Sequence, residues 1–298
     1  MAEFIPKKGP AVIRSADSNQ LSDRYRDAVL INYRFLGNVV PDVSFTLNGR
    51  TFGMPIMAGP INSKPEYAQA AADAGTVYWM GFHDAEAWKQ VLALGIPAIR
   101  VYKPLADNSR LMEEIRYDTE HGALGYAMDI SHGMTVYGEP DKQSEQFASK
   151  TEEDLKLLND ASPLPFFLKD VQSVHDAETA KRIGAAGIVL SGHNNRFPCS
   201  VPPLMFLPEA RKTVGDDMLI FVDGGMNTGY DIFKALALGA DAVLCARGLA
   251  AVFAKDGAEA MTVKLLELKA ELKGAMANTG SPDLKHISPD SVRVPKYY

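Results

Sequence analysis

From residue 53 onward the chain repeats one unit, a short apolar run followed by a turn and a helical stretch rich in Ala, Leu, Glu and Lys. This alternation is typical of parallel β-α units, because each strand needs a crossover before the next parallel strand can pair. Eight is the number of strands that closes a barrel, and we therefore predict a (β/α)8 TIM barrel. The eight apolar runs lie at 54–58, 76–80, 98–102, 123–129, 165–169, 187–191, 218–223 and 242–246.

Helical patterns fill the intervals between these runs. Glycines close six of the repeats, which suits left-handed helix ends before the chain re-enters a sheet. A doubly wound open sheet is the alternative fold, but residues 58–62 (Ala-Gly-Pro-Ile-Asn) lack the glycine-rich dinucleotide loop that such a sheet normally carries. The predicted helices are 65–74, 84–94, 109–120, 152–160, 174–183, 203–214, 229–238 and 258–276, and the glycines are Gly75, Gly95, Gly122, Gly184, Gly215 and Gly239.

The first 52 residues precede this repeat. They predict a helix at 22–32 and a hairpin of 42–47 with 50–52, because Asn-Gly at 48–49 is a strong two-residue turn signal. We therefore divide the chain into an N-terminal helical and hairpin extension packing on the barrel (1–52), the barrel (53–287) and a C-terminal tail (288–298). The polar stretch 135–150 predicts a loop on the catalytic face.

Composition narrows the class of protein. Hydrophobic residues make up 46% of the 298 residues and charged residues 23%, which excludes a disordered chain, and the net charge of −6 disfavours nucleic acid or anionic membrane as a partner. Cys199 and Cys245 stand in no metal-ligand pattern, so we predict free thiols and no metal site. The start of the chain has no signal-peptide pattern and no apolar run is long enough to span a bilayer, so we expect a cytoplasmic protein.

Polar residues stand where the predicted strands end. In a barrel of this kind the active site forms at the C-terminal ends of the strands, so these side chains are expected to converge on one mouth. The residues are Tyr102, Asp129, Lys169, Ser191, Asp223 and Arg247.

The last two strands predict an anion site. Asp223-Gly224-Gly225 leaves the seventh strand as a turn, and Ala246-Arg247-Gly248 leaves the eighth just before a helix start, where backbone amides and an arginine can hold phosphate. The alternative is that the glycines only make turns and Arg247 is a solvated surface charge.

His193 is the candidate acid or base, because an unperturbed imidazole titrates near neutrality. Arg196 lies three residues on and can clamp a carboxylate with two hydrogen bonds, so the pair favours proton abstraction from an anionic substrate. Lys169 ends an apolar strand, which predicts a ligand-binding cation or a Schiff-base amine, and aldolase chemistry stays open. Asp129 is expected to orient His193 or to serve a structural hydrogen bond.

Taken in order, these residues resemble the FMN-dependent α-hydroxy acid oxidase and dehydrogenase family. The resemblance covers most of residues 25 to 287 and includes 54–58, 168–170, 191–196, 222–225, 234–240 and 276–280. It implies FMN as cofactor, a small anionic substrate, an electron acceptor that stays unknown, and a homo-oligomer, commonly a tetramer. The implied reaction is oxidation of a 2-hydroxy acid, or a related hydroxylated anion, to the 2-oxo acid.

The resemblance also implies roles for single residues. His193 matches the catalytic base, Asp129 the carboxylate that pairs with it, Arg196 the group that binds the substrate carboxylate and Tyr102 an active-site tyrosine. Lys169 matches the cation that stabilises negative charge on the reduced flavin. The flavin and its phosphate are expected to contact Ala58, Lys169, Ser191, Asp223, Gly225, Arg247 and Gly248.

The chain departs from the family pattern beside the base. Asn194 and Asn195 follow His193 where the family usually has two glycines, and Asn227 stands where an arginine normally binds the flavin phosphate. Residues 131–133 (Ser-His-Gly) replace a second carboxylate-binding arginine. Two alternatives therefore stay open: a non-redox FMN isomerase similar to type 2 isopentenyl diphosphate isomerase, and a catalytically lapsed barrel that binds phosphate or flavin.

Overall fold

The computed structural model describes residues 17–37, 39–82, 84–141 and 147–295, and within them eight parallel strands close into a barrel. The ring runs in chain order and closes where the last strand pairs with the first, Cys245 opposite Ala58. The predicted (β/α)8 barrel is confirmed. Its strands are β4 (Ile56–Ala58), β5 (Tyr78–Gly81), β6 (Ala98–Tyr102), β7 (Gly125–Asp129), β8 (Phe166–Val171), β9 (Gly187–Leu190), β10 (Leu219–Asp223) and β11 (Ala242–Cys245).

Helices cover the outside of the ring. The six predicted closing glycines all adopt positive φ, as expected for helix ends that turn back into a sheet. The last helix begins at Arg247, earlier than predicted, and breaks at Gly257, so the predicted start at 258 marks its second half. The helices are α2 (Pro65–Asp73), α3 (Ala85–Ala93), α4 (Asn108–Glu120), α5 (Glu152–Asp160), α6 (Val174–Arg182), α7 (Pro203–Val214), α8 (Gly229–Ala237) and α9 (Arg247–Ala277).

Aromatic side chains fill the barrel interior. The rings of Trp79, Phe167 and Phe221 lie 5.2 to 5.8 Å apart between centroids, and all three are fully buried. A hairpin of β2 (Phe45–Leu47) and β3 (Arg50–Phe52) closes the amino-terminal end, where Phe45 contacts Phe221 at 6.3 Å between centroids. Among the described residues, side chains plug this end, and the cavity of the barrel opens at the carboxyl ends of the strands.

The first helix lies four residues earlier than the sequence predicts. α1 spans Ser18–Ala28 because the Asp17 carboxylate accepts from the amides of Asn19 and Gln20 and so begins the helix there. The chain then becomes extended, and β1 (Leu30–Ile31) pairs with β12 (Val292–Arg293). A segment from the first part of the chain is thus paired with one from its last part in a sheet separate from the barrel. Among the described residues, every helix is too short or too polar to cross a bilayer.

Candidate active site

A cavity of about 370 Å³ opens at the carboxyl ends of the barrel strands. Its floor follows the two-residue period of a strand: Val101, Ala127, Phe167, Val189 and Phe221 face the barrel interior, and the residue two positions after each faces the cavity. Those five residues are Lys103, Asp129, Lys169, Ser191 and Asp223. Four of them were predicted site residues, and Lys103 was not.

The alternation also decides the place of Tyr102. Its side chain points to the helix layer, where the fully buried hydroxyl donates to Asp118 of α4 at 2.5 Å. The guanidinium of Arg100 lies 5.1 Å from the centre of its ring. The substrate-binding role of Tyr102 stays a prediction, and this geometry does not support it, because the next residue, Lys103, takes the inward position.

A buried charge network occupies the cavity floor. The Lys169 ammonium donates to Asp129 and to Asp170, each at 2.8 Å, and Lys103 donates to the other oxygen of Asp129 at 2.7 Å. Burial alone would lower the pKa of Lys169, but Asp129 and Asp170 raise it above its ordinary value, so this amine stays protonated. A Schiff-base role needs a neutral amine, so the network argues against the aldolase alternative.

Asp170 enters the cavity region through a bulge. The ladder between β8 and β9 shifts register between Lys169 and Val171, and Asp170 has a φ of +72°. Consecutive strand residues normally point to opposite faces, and the bulge removes that restriction. Burial raises the pKa of Asp170, but Lys169 and His193 outweigh it and hold that pKa well below its usual range.

His193 follows β9 in a turn with left-handed backbone. The φ angles of His193, Asn194 and Asn195 are 44°, 54° and 62°, and side-chain bonds from α1 hold the turn. Asn195 accepts from the amide of Ser18 at 2.8 Å, and Asn194 accepts from Asn19 at 3.2 Å. Asn194 and Asn195, which depart from the family pattern beside the candidate base, therefore anchor this turn to the N-terminal extension.

The carboxylate that orients His193 is Asp170 rather than the predicted Asp129. Nδ1 of His193 lies 2.9 Å from Asp170 and 3.8 Å from Asp129. Both Asp129 oxygens already accept from lysines, and these ammonium groups hold the pKa of Asp129 below its ordinary value against the effect of burial. Asp129 therefore positions the two lysines.

A second histidine faces the candidate base. The 3₁₀ turn Ile130–His132 follows β7 directly and brings Nε2 of His132 to 3.0 Å from Nε2 of His193. Burial, and then the positive charge of Lys103, lowers the pKa of His132 to about 4. Asp129, His132 and His193 each place a possible metal-ligand atom within 4.8 Å of the others.

Arg196 turns away from the cavity. Its guanidinium donates to the carbonyls of Ser131 and Met134 at 3.0 and 3.1 Å and pairs with Asp141 at 2.5 Å. Asp141 belongs to the stretch 135–150, which we predicted to be a loop on the catalytic face. Residues 142–146 of that stretch lie outside the described residues. The prediction that Arg196 binds the substrate carboxylate is not met by this arrangement, because Asp141 and the two carbonyls occupy the guanidinium.

The opposite side of the cavity carries the predicted anion site. Ser191 donates to Asp223 at 3.1 Å, and Arg247 reaches Asn194 at 3.0 Å. α9 begins at Arg247 without a side-chain cap, so its first amides stay available to an anion. The cation of Lys169 at one end and this helix start at the other fit a flavin ring and a phosphate.

Three predicted cofactor contacts do not line the cavity. Ala58 is fully buried in β4, and Gly248 follows the lining residue Arg247. Gly225 gives its carbonyl to Arg26 of α1 at 2.7 Å, and a Cβ there would lie 2.2 Å from that guanidinium. The neighbouring Gly224 lines the cavity instead.

The chain is similar to known proteins in sequence and in fold. A family model described as FMN-dependent dehydrogenase matches residues 117–294. Glycolate oxidase 3 of Arabidopsis thaliana is 29% identical over 83% of this chain and 79% of its own length, and 2-hydroxyacid oxidase 2 of Mus musculus is 31% identical over 75% and 66%. A solved mandelate oxidase variant with a C4a-OH-FMN adduct has a TM-score of 0.85 at 24% identity, covering 95% of this chain and 92% of that chain. The chain therefore belongs to the FMN-dependent dehydrogenase family of oxidoreductases, and its cofactor is FMN.

Proposed function

We propose that this protein oxidises a 2-hydroxy acid, or a related hydroxylated anion, to the 2-oxo acid. One observation carries the proposal: an imidazole with a buried carboxylate on Nδ1 lies beside a buried ammonium group in a cavity at the barrel mouth. The relatives named for glycolate and 2-hydroxyacid oxidation support the same class of substrate.

We assign the cofactor contacts to the predicted residues that line the cavity. Lys169 places positive charge against the flavin ring, Ser191 and Asp223 supply polar contacts, and Arg247 with the start of α9 faces the phosphate. FMN, when bound, accepts the two electrons that oxidation of the substrate releases. The protein supplies alignment, charge and a base.

His193 acts as the base through Nε2. Its Nδ1 proton is held by Asp170, so Nε2 presents the lone pair that takes a proton from the substrate hydroxyl or from its α-carbon. The imidazolium that forms is stabilised by the Asp170 carboxylate, whose depressed pKa keeps it charged. Nε2 of His132 accepts a hydrogen bond from the protonated ring at the other end.

The substrate carboxylate is assigned to Lys103. This ammonium lines the cavity and uses one of its three donors on Asp129. Arg196 contributes indirectly, because its bonds to Ser131 and Asp141 hold the segment that carries His132. Arg196 therefore shapes the pocket, and Lys103 supplies the charge that selects an anion.

We also propose a cytoplasmic homo-oligomer, a tetramer by resemblance. Cys199 and Cys245 are both free thiols, which suits a reducing compartment. Tyr33, Phe35 and Leu36 are 49%, 79% and 83% exposed, and an apolar segment of this kind is typical of a surface covered by another copy. Light scattering of the purified protein tests the assembly, and a monomer would contradict it.

Anaerobic addition of 2-hydroxy acids to the purified flavoprotein tests the reaction. We expect at least one acid to bleach the flavin band and to yield one equivalent of the matching 2-oxo acid. A stoichiometric flavin that no acid reduces would favour the non-redox isomerase or the lapsed binding barrel. The acceptor that reoxidises the flavin is found by adding oxygen, a quinone or a nicotinamide to the bleached enzyme.

A further inference from the structure

A carboxylate lies at hydrogen-bond distance from Nδ1 of each of the two facing histidines, His193 and His132. Nδ1 of His193 lies 2.9 Å from Asp170, and Nδ1 of His132 lies 3.2 Å from Asp141. A carboxylate only accepts, so each Nδ1 carries the ring proton and each Nε2 presents a lone pair. The two Nε2 atoms nevertheless lie 3.0 Å apart. Two lone pairs at that distance repel unless a metal ion or a shared proton lies between them.

We propose that this pair is a binding site for a divalent transition-metal ion, with Nε2 of His132 and Nε2 of His193 as ligands and the Asp129 carboxylate as the third. The three residues place their ligand atoms within 4.8 Å of one another. With Zn–N bonds of about 2.0–2.1 Å, two nitrogens on a tetrahedral ion lie about 3.3 Å apart, so the rings need to separate by only a few tenths of an ångström.

The groups that contact the proposed ligands are also those expected around a metal site. Histidines that bind metals almost always give their other ring proton to a carboxylate, a backbone carbonyl or a water molecule, which fixes the tautomer and raises the basicity of the ligand nitrogen. Asp170 and Asp141 do this for the two rings here. Imidazole nitrogens favour Zn²⁺, Cu²⁺, Ni²⁺ and Co²⁺, whereas Mg²⁺ and Ca²⁺ need oxygen ligands, so the site takes the first group of ions.

The charges that face the pair are balanced. Lys103 is bonded to Asp129, Lys169 to Asp129 and Asp170, and Arg196 to Asp141. Each of these cations is paired with a carboxylate, which reduces its repulsion of an ion. With only three protein ligands and two lysines beside one of them, the site is reversible rather than structural.

The site has a consequence that rests on the proposed function. An ion on Nε2 of His193 occupies the lone pair that takes the substrate proton, so Zn²⁺ inhibits flavin reduction. A chelator restores the activity, because the ion leaves without any change to the protein chain.

Metal binding is measured without substrate. Untagged protein is dialysed against a chelator and titrated with Zn²⁺ by calorimetry at neutral pH, and Co²⁺ absorption reports nitrogen ligation. We expect one equivalent of Zn²⁺, loss of this binding in His132→Asn, and binding weakened about 10–100-fold in Asp141→Asn, which removes only the outer carboxylate. His175→Asn is the control, because that side chain is 83% exposed, and it binds as the parent does.

The Zn²⁺ titration tests the metal site independently of the proposed oxidation reaction. Equal Zn²⁺ affinity in the parent and in His132→Asn would overturn the metal site, and so would an absence of binding by the parent at millimolar Zn²⁺. In that second case a shared proton alone bridges the two rings. Flavin content and bleaching by 2-hydroxy acids are measured on the same metal-free samples, so failure of the oxidase function leaves the metal result intact.

Discussion

The buried carboxylate of Asp170 lies 2.9 Å from Nδ1 of His193, although Asp170 stands in a strand position that should face away from the cavity. The bulge that turns it inward also gives it a second partner, since Ser131 donates at 2.5 Å to Oδ2, the same oxygen that lies nearest to Nδ1 of His193. The orientation of the base therefore depends on a local break in β8.

Asp170→Asn is expected to lower the rate of flavin reduction by at least about 100-fold, because the amide cannot hold the Nδ1 proton or stabilise the imidazolium. Ser131→Ala removes one bond to Asp170 but leaves its charge, so we expect a much smaller loss. Stopped-flow flavin reduction measures both variants. Equal losses in the two would contradict the role given to Asp170.

Lys103→Met is expected to raise the KM for a 2-hydroxy acid by about 10-fold to 100-fold, since a charge-assisted hydrogen bond contributes about 1.5–3 kcal/mol. Lys103→Arg keeps the positive charge and recovers part of the affinity. Arg196→Lys retains a cation near Asp141 and should change KM much less than Lys103→Met. Steady-state kinetics distinguish the two residues, and a larger KM effect at Arg196 would restore it as the group that binds the carboxylate.

Tyr102→Phe is expected to leave kcat and KM unchanged, because the hydroxyl contacts Asp118 in the helix layer rather than the cavity. Removing the hydroxyl leaves the buried Asp118 carboxylate with fewer donors, which costs about 1–3 kcal/mol of unfolding free energy. Urea unfolding measures the loss. A variant with parent stability and impaired turnover would place Tyr102 in the active site.

The pKa of His132, about 4 against an ordinary value of 6.5, predicts a pH dependence of stability. Below pH 6.5 the unfolded chain binds a proton that the folded chain does not, so stability falls as pH decreases from 6.5 towards 4. The loss reaches at most about 3 kcal/mol. Urea unfolding at pH 7 and pH 5 in the presence of a chelator measures it, and His132→Asn should show a smaller drop than the parent. Equal drops would contradict the assignment.

The barrel was predictable from the sequence because its strands are short, apolar and regularly spaced. Strand β6 and helices α5 and α7 have the predicted bounds. The N-terminal helix was misplaced, because its start depends on one capping carboxylate, Asp17, that a search for apolar periodicity does not weigh.

The site was predictable only in part. Lys169, Ser191 and Asp223 follow from strand ends, and Lys103 could have been found by counting two residues on from Val101 instead of stopping at Tyr102. Asp170 and His132 could not be found in this way, because a bulge and a 3₁₀ turn place them. The pairing of Arg196 with Asp141 is a long-range contact that no local pattern reveals.

The most direct test of the account is the anaerobic reduction of bound flavin in His193→Ala, compared with the parent and with His175→Asn. We expect His193→Ala to bind FMN stoichiometrically but to lose bleaching by the 2-hydroxy acid that reduces the parent, while His175→Asn reacts at the parent rate. Bleaching of His193→Ala at the parent rate would contradict the assignment of His193 as the base, and loss of FMN from that variant would give it a structural role instead.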